Sequence, residues 1–344
     1  MNDTLLRVRD LRVNLGGHEI LRGIDFELYA GETLGLVGES GSGKTTLARA
    51  ILRLLEPVQG SVEFQGLELL GSSPATLRAR RRDLQIVFQD PLASLDPRMT
   101  VGQAIAEPVE IFEPGLDGGA RQRLIVGMLE RVGLGPGMAG RYPHELSGGQ
   151  CQRVAIARAM ILNPKALICD EVVSSLDVSV QGQIVNLLLD LQQQTAMGVL
   201  FISHNLAVVR HLSHRVLVMY LGKLLEIAHS EALFAAPVHP YTRALLAAVP
   251  QGFDAARWPE ASAAVPPARA EPPAQAESPA LGETPARAET PARLLAAGCA
   301  FRDRCPFVLP VCETEDPPLL EVAAGHWAAC HRSQELLIPL SLPS

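Results

Sequence analysis

Between residues 1 and 250, short apolar runs alternate with stretches of helical periodicity. Residues 34–37 predict a buried strand, and residues 44–55 predict the helix that follows it. Apolar runs at 85–88, 167–169 and 199–202 predict further strands. The last two are hydrophobic almost throughout, as central parallel strands are. This alternation predicts an α/β fold.

The pattern changes twice along the chain. Over about residues 91–160 helical periodicity replaces the strand signals, which we interpret as a helical subdomain inserted into the α/β core. Residues 251–297 contain a stretch rich in Pro, Ala and Glu that cannot bury enough apolar surface to fold, so we expect a flexible linker. Residues 298–344 then form a short C-terminal unit, called here the cysteine module.

Composition and charge narrow the class of protein. The 344 residues are 47% hydrophobic and 19% charged, as expected of a globular chain. A formal net charge of −7 speaks against nucleic acid as a partner. No apolar run approaches the roughly 18–20 residues that cross a bilayer, and residues 1–13 do not resemble a signal peptide. We therefore expect an intracellular protein whose membrane role, if any, depends on partners.

A phosphate-binding motif follows the first predicted buried strand. Residues 38–45 read GESGSGKT, match G-x-x-x-x-G-K-[ST] and are called here the phosphate loop. Its backbone N–H groups and the following helix N-terminus favour phosphate oxygens. Lys44 is predicted to reach the β- and γ-phosphates of ATP, and the Thr45 hydroxyl to bind Mg²⁺. The candidate nucleotide-binding residues here are Gly38, Ser40, Gly41, Ser42, Gly43, Lys44, Thr45 and Thr46.

Two acids end the predicted strand at residues 167–169. Asp170 and Glu171 follow the apolar run directly, and at a strand end both side chains can turn toward one ligand. We predict that Asp170 binds Mg²⁺, directly or through water, and that Glu171 polarises the water that attacks ATP.

Further motifs follow in a fixed order. Residues 87–90 read VFQD, residues 146–150 read LSGGQ, residues 174–177 read SSLD, and His204 follows the run at 199–202. With the phosphate loop and the paired acids, this series resembles the ATP-binding subunits of ABC transporters over residues 5–250. The resemblance implies an α/β P-loop NTPase core.

The resemblance also implies roles for these residues. Gln89 would sense Mg²⁺ and the γ-phosphate and link the site to membrane subunits, and His204 would contact the γ-phosphate. Asp177 would lie on a loop that crosses to a partner ATPase subunit. Residues 146–150, called here the signature, would contact ATP bound by that partner through Ser147, Gly148, Gly149 and Gln150.

Some positions depart from the family pattern. Val172 replaces the usual Pro, and Cys151 stands after the signature where Arg or Gln is common. Our alignment puts Leu15 where an aromatic residue usually stacks on adenine. A leucine offers an apolar face without π-stacking.

Two segments resemble the di- and oligopeptide importers in particular, namely FQDPLASLDPRMTV at 88–101 and HPYTRALL at 239–246. Nickel and glutathione importers share these features, so the substrate stays open among the three. The resemblance implies a second, different ATPase subunit, two transmembrane permease subunits and an extracytoplasmic solute-binding protein, with this chain peripheral at the cytoplasmic face of the membrane. A soluble ABC ATPase acting on ribosomes or DNA is the alternative, disfavoured by the single cassette and the lack of a coiled coil.

The cysteine module carries a spacing of its own, C-x5-C-x6-C-x17-C, formed by Cys299, Cys305, Cys312 and Cys330. This resembles the tail of the peptide importers, where four cysteines hold a [4Fe-4S] cluster. Four thiolates also suit Zn²⁺, although the close cysteine pairs of structural zinc sites are missing. Both metals and the absence of any metal stay open. His326 and His331 are spare candidate ligands that we expect to be solvated surface residues.

Overall fold

The computed structural model describes residues 3–248 and 297–337, which form two sheets surrounded by helices. The smaller sheet is antiparallel. Its strands are β1 (Thr4–Leu15), β2 (His18–Tyr29), β4 (Gln59–Phe64) and β5 (Leu67–Glu68). They lie in the order β2-β1-β4-β5.

The larger sheet has eight strands. They are β3 (Thr33–Val37), β6 (Leu84–Val87), β7 (Ala166–Asp170), β8 (Gly198–Ile202), β9 (Arg215–Tyr220), β10 (Lys223–His229), β11 (Leu320–Ala323) and β12 (His326–Ala328). Their order is β11-β12-β10-β9-β3-β8-β7-β6, and the pairs from β9 to β6 are parallel. Parallel strands align their carboxyl ends at one edge, where α/β folds bind ligands.

The helices connect and cover these strands. They are α1 (Lys44–Ile51), α2 (Pro74–Arg80), α3 (Pro91–Ser94), α4 (Val101–Phe112), α5 (Gly118–Arg131), α6 (Gly148–Met160), α7 (Val178–Thr195), α8 (Leu206–Leu212), α9 (Ser230–Ala235), α10 (Pro240–Ala247), α11 (Val311–Thr314) and α12 (Ser333–Leu336). Helices α3 to α6 all lie between β6 and β7. Within the described ranges, no helix is long and apolar enough to cross a membrane.

The predicted strands are confirmed as β3, β6, β7 and β8, within a residue or so at each end. The predicted helix at 44–55 is α1, but its end was wrong, because the helix stops at Ile51. Arg53 then adopts a φ of 51°, a left-handed conformation that no helix can continue through. The predicted linker at 251–297 lies outside the described residues except for residue 297.

Successive side chains of the parallel strands point to opposite faces of the larger sheet, and they contribute to two cores, one on each face. Leu200 and Ile202 of β8 face the small sheet and α1, whereas Val199 and Phe201 face the helices on the other side. Both faces are apolar because both are covered, which is why these strands read as unbroken hydrophobic runs.

The cysteine module extends the larger sheet. Ile227 of β10 pairs with Trp327 of β12 in an antiparallel ladder. Beside that ladder, Nε2 of His326 lies 2.7 Å from Oε1 of Glu226, and both residues are buried. The expectation of a solvated His326 was therefore wrong. The partner that buries it is 100 residues away in sequence.

Candidate nucleotide-binding and hydrolysis site

The phosphate loop connects the carboxyl end of β3 to the start of α1, and two of its glycines are required by geometry. Gly43 precedes α1 with a φ of 103°, which other residues rarely adopt. A Cβ on Gly38 would lie 2.1 Å from the carbonyl oxygen of Met219, so only glycine lets the loop pack against β9.

Lys44 is buried within the loop. Its Nζ donates hydrogen bonds to the carbonyl oxygens of Gly38, at 2.8 Å, and Glu39, at 2.9 Å. Burial lowers the pKa of Lys44, while the nearby carboxylates oppose that shift. Because the two carbonyl groups that hold the Lys44 ammonium are neutral, they do not cancel its positive charge. That charge can still attract an anion bound in the loop.

The two predicted Mg²⁺ ligands are adjacent. Oγ1 of Thr45 donates to Oδ1 of Asp170 at 3.1 Å, which joins the start of α1 to the end of β7. Burial raises the pKa of Asp170, and the bond from Thr45 acts in the opposite direction. A hydroxyl and a carboxylate are hard oxygen donors of the kind that Mg²⁺ takes together with substrate phosphates. This pair therefore fits the metal.

Glu171 lies at the meeting point of three strand ends. Nε2 of Gln89 donates to Oε2 of Glu171 at 3.1 Å, and Nδ1 of His204 lies 3.5 Å from the same oxygen. Glu171 has a φ of 51°, and its N–H donates to the carbonyl of Ile202 in β8. Such a conformation costs about 1 kcal/mol.

The remaining loop residues complete this edge of the sheet. Ser40 and Gly41 are exposed on the loop, and Thr46 lies in the first turn of α1. Ser42 is buried, and its carbonyl accepts a bond from the N–H of Gly222 at 2.9 Å. The structure thus brings the phosphate loop, the acid pair, Gln89 and His204 to the carboxyl ends of β3, β6, β7 and β8.

The signature begins a helix. Ser147 is the N-cap of α6 and accepts from the N–H of Gln150, whose side chain accepts in return from the N–H of Ser147. S-x-x-Q is a capping-box pattern, so the sequence itself carries the signal for this helix start. Ser147 and Gly148 are exposed, and Asp177, the exposed N-cap of α7, makes no capping bond.

Cys151 and Leu15, two of the three departures from the family pattern, differ in burial. Cys151 is buried, with its Sγ 3.5 Å from the carbonyl oxygen of Pro143, and burial raises its pKa. Its thiol is a packing group inside the helical region. Leu15 ends β1 beside the turn at Gly16 and Gly17, and it is 40% exposed.

The four cysteines of the module are neighbours. The N–H of Cys299 donates to the carbonyl of Cys312 at 2.8 Å. Burial raises the pKa of Cys299 and that of Cys305. Burial also raises the pKa of Cys330, to about 11. In each case, other thiols of the set raise the pKa further. Even so, no group of three His, Cys, Asp or Glu within residues 3–248 and 297–337 could hold a metal ion.

One contact to the phosphate loop was missed by sequence reasoning. Arg304, next to Cys305, makes two hydrogen bonds to the carboxylate of Glu39, at 2.9 and 3.0 Å. The residues are 265 positions apart, and no local pattern could have paired them.

Family models match two segments of the chain. The model described as ABC transporter covers residues 21–174, which include the phosphate loop, Gln89, the signature and the acid pair. The model described as oligopeptide/dipeptide transporter, C-terminal region, covers residues 225–312.

Curated relatives match nearly the whole chain. The probable peptide ABC transporter ATP-binding protein y4tS of Sinorhizobium fredii is 48% identical, over 96% of this chain and 90% of that protein. The chain belongs to the peptide ABC transporter ATP-binding subunits. Another such subunit, the oligopeptide transport ATP-binding protein OppF of Escherichia coli, is 47% identical, over 90% of this chain and 86% of its own length.

Solved structures match this ABC subunit over about two thirds of its length. A cassette named MJ0796, in a dimeric post-hydrolysis state bound to ADP and Pi, is 27% identical with a TM-score of 0.60, and the match covers 66% of this chain and 99% of that one. The cbiO1 subunit of a Clostridium perfringens ABC transporter complex is 28% identical, with a TM-score of 0.62, over 67% and 91%. The predicted α/β P-loop fold is confirmed.

Proposed function

We propose that this ABC subunit hydrolyses ATP to drive the import of dipeptides or oligopeptides. The observation that carries the proposal is the convergence on Glu171, where Gln89 and His204 approach one carboxylate oxygen beside the Thr45–Asp170 pair. Peptide as the substrate is supported by the names of the relatives and by the match to the oligopeptide/dipeptide C-terminal region.

In the proposed reaction, the phosphate loop holds the triphosphate and Lys44 neutralises the charge of the β- and γ-phosphates. Asp170 and the Thr45 hydroxyl would hold Mg²⁺, which supplies positive charge to the transferred phosphoryl group. Glu171 accepts a hydrogen bond from the attacking water and polarises it. His204, exposed at the end of β8 and 3.5 Å from Glu171, would contact the γ-phosphate.

A second ATPase subunit completes each site in this proposal. The exposed signature at the N-terminus of α6 offers Ser147 and backbone N–H groups to a nucleotide on the partner. Asp177 is the exposed N-cap of α7, and Val178, the first residue of that helix, is 69% exposed. An apolar side chain at that exposure supports a protein contact. We propose a head-to-tail heterodimer with a related ATPase subunit.

Two permease subunits and an extracytoplasmic solute-binding protein are the other proposed partners. A groove of about 260 Å³ lies beside Gln89, between β6 and the helices at 91–160 that we propose as the helical subdomain. Phe88, Ile111 and Phe112 give it apolar walls, and Glu107 and Arg158 form an ion pair in its lining. We propose that a permease segment binds this groove and holds the subunit at the cytoplasmic face of the membrane.

We propose three units in the chain: the ATPase domain at 1–250, a linker at 251–297 and the cysteine module at 298–344. In the module, Cys299, Cys305, Cys312 and Cys330 would hold a [4Fe-4S] cluster. Their proximity is supported by their effects on each other's pKa. Four thiolates without a close cysteine pair suit a [4Fe-4S] cluster better than a structural Zn²⁺ site.

Anaerobic purification tests the cluster. We expect brown protein with about four irons per chain, and loss of the colour in Cys312→Ser. Iron-free protein from an iron-replete culture, with or without zinc, would contradict it.

Transport tests the function. The full chain, reconstituted with its partner ATPase, permeases and binding protein in proteoliposomes, should take up labelled tripeptide only with ATP. Glu171→Gln in the same complex should take up none. Uptake of nickel or glutathione without peptide would refute the peptide assignment.

A further inference from the structure

The cysteine module reaches back to the phosphate loop through one ion pair. Arg304 ends a 3-10 turn at Arg302–Arg304, and its two terminal nitrogens bond the two carboxylate oxygens of Glu39 at 2.9 and 3.0 Å. This forked geometry fixes both direction and distance, which a single contact between point charges does not.

Aromatic packing holds the arginine in place. The guanidinium lies 5.5 Å from the ring centre of Phe301 and 5.8 Å from that of Tyr220. Phe301 is itself buried, with its ring 5.4 Å from that of Tyr241 in α10. The orientation of Arg304 is therefore set by packing against these aromatic rings as well as by its charge.

Tyr241, which packs against Phe301, also holds the backbone of Glu39. The N–H of Glu39 donates to the hydroxyl of Tyr241 at 2.9 Å, and Tyr241 is 1% exposed. Glu39 is thus fixed at its side chain by Arg304 and at its amide by Tyr241. Both groups lie outside the segment that contacts nucleotide in the proposed function.

Glu39 also provides one of the two carbonyl oxygens that hold the ammonium group of Lys44. Nζ of Lys44 donates to the carbonyl of Glu39 at 2.9 Å and to that of Gly38 at 2.8 Å. A displacement of Glu39 therefore moves a group that holds the lysine and turns the adjoining backbone N–H groups away from the phosphates.

We propose that Arg304 is a positioning residue for ATP binding, which acts through Glu39 to hold the phosphate loop of its own chain in the shape that accepts phosphate. The proposal rests on the nucleotide role proposed above. It makes the docked cysteine module part of the ATP site of the same subunit, through Glu39 and not through a bond from Arg304 to the nucleotide.

Nucleotide affinity tests the link. The dissociation constant of MgATP would be measured on the full chain for Arg304→Gln, Glu39→Gln, the double variant and Arg304→Lys. We expect each single glutamine variant to bind about five- to tenfold more weakly, and the double variant to be no weaker than either, because both remove one link. Arg304→Lys should fall between them and the wild type, since an ammonium keeps the charge but cannot reproduce the forked pair of bonds from two nitrogens.

The matched control is Arg332→Gln. Arg332, another arginine of the module, pairs with Glu335 within its own segment, so its substitution should leave ATP affinity unchanged. In the assembled transporter, Arg304→Gln should raise the KM for ATP with kcat within about twofold, as expected when binding rather than chemistry is affected.

Three outcomes would overturn the proposal. They are wild-type affinity in Arg304→Gln, additive losses in the double variant, or a Glu39→Gln variant that binds ATP as well as the wild type. The last would mean that Arg304 only neutralises a repulsive carboxylate. If the wild-type chain itself failed to bind ATP, the proposed function would fail instead, so the two failures are distinct.

Discussion

Nδ1 of His204 lies 3.5 Å from Oε2 of Glu171, so the side chains that follow the carboxyl ends of β8 and β7 are neighbours. Glu171→Gln keeps the size of this side chain and removes its charge. We expect MgATP still to bind, hydrolysis to fall at least about 100-fold, and the ATP-bound dimer to persist. ATPase rates and size-exclusion chromatography with ATP would measure this. Glu130→Gln, exposed on α5, is the control, and wild-type hydrolysis in Glu171→Gln would refute the assigned role.

Thr45 and Thr46 offer a matched pair in the same helical turn. Only Oγ1 of Thr45 bonds Asp170, so Thr45→Val should remove a Mg²⁺ ligand while preserving shape. The Mg²⁺ concentration for half-maximal ATPase activity should rise at least about tenfold. Thr46→Val should leave that concentration unchanged, even if ATP binds less well. Equal shifts in both variants would contradict the Mg²⁺ assignment.

Substitutions at Gly148 and Gly149 can distinguish the effect of the signature on folding from its effect on partner contact. A Cβ at Gly149 would lie 2.5 Å from Cγ1 of Val180 in α7, whereas at Gly148 the nearest atom, on Leu176, is 3.7 Å away. Gly149→Ala should therefore lower the unfolding temperature by a few degrees, on the order of 1 kcal/mol.

Gly148→Ala should fold as stably as the wild type and still lose ATPase activity in the assembled dimer, because in the proposed dimer its added methyl group would face the partner nucleotide. Calorimetry and ATPase assays on both variants test the pair. A fully active Gly148→Ala dimer would argue against the partner role of the signature.

His239 makes stability depend on pH. Burial lowers its pKa from 6.5 to about 4, so the folded chain keeps the ring neutral where the unfolded chain protonates it. The free energy of unfolding should therefore fall as the pH drops from 6.5 to 4, by up to about 3 kcal/mol from this residue.

His239→Asn keeps a capping side chain at the start of α10 and should flatten that decline. Denaturant unfolding at several pH values measures it, with His144→Asn, on an exposed segment, as the control. An unchanged slope in His239→Asn would show that other groups govern the acid response.

Sequence patterns predicted what is local. Buried parallel strands produce unbroken apolar runs, and a phosphate loop needs glycines at fixed spacings, so β3, β7, β8 and the loop could be predicted with nearly correct bounds. The strand-end positions of Asp170, Glu171 and His204 followed from the same runs. Their meeting at one edge is a consequence of parallel topology.

What the patterns missed depends on distant pairings. His326 gives no local sign of burial, since its partner Glu226 lies on a strand 100 residues earlier. Strands β11 and β12 have four and three residues, too short for a periodicity to be recognised. The Arg304–Glu39 pair likewise exists only because the module packs against β9 and α10.

Strand β12 has a consequence for any attempt to shorten the protein. It covers the outer edge of β10, whose residues Leu224, Leu225 and Ile227 are buried. A chain cut before β11 would present that apolar edge with unpaired backbone groups, a template for pairing with other chains. We therefore expect a minimal ATPase domain that lacks β11 and β12 to self-associate unless a substitute strand covers this edge.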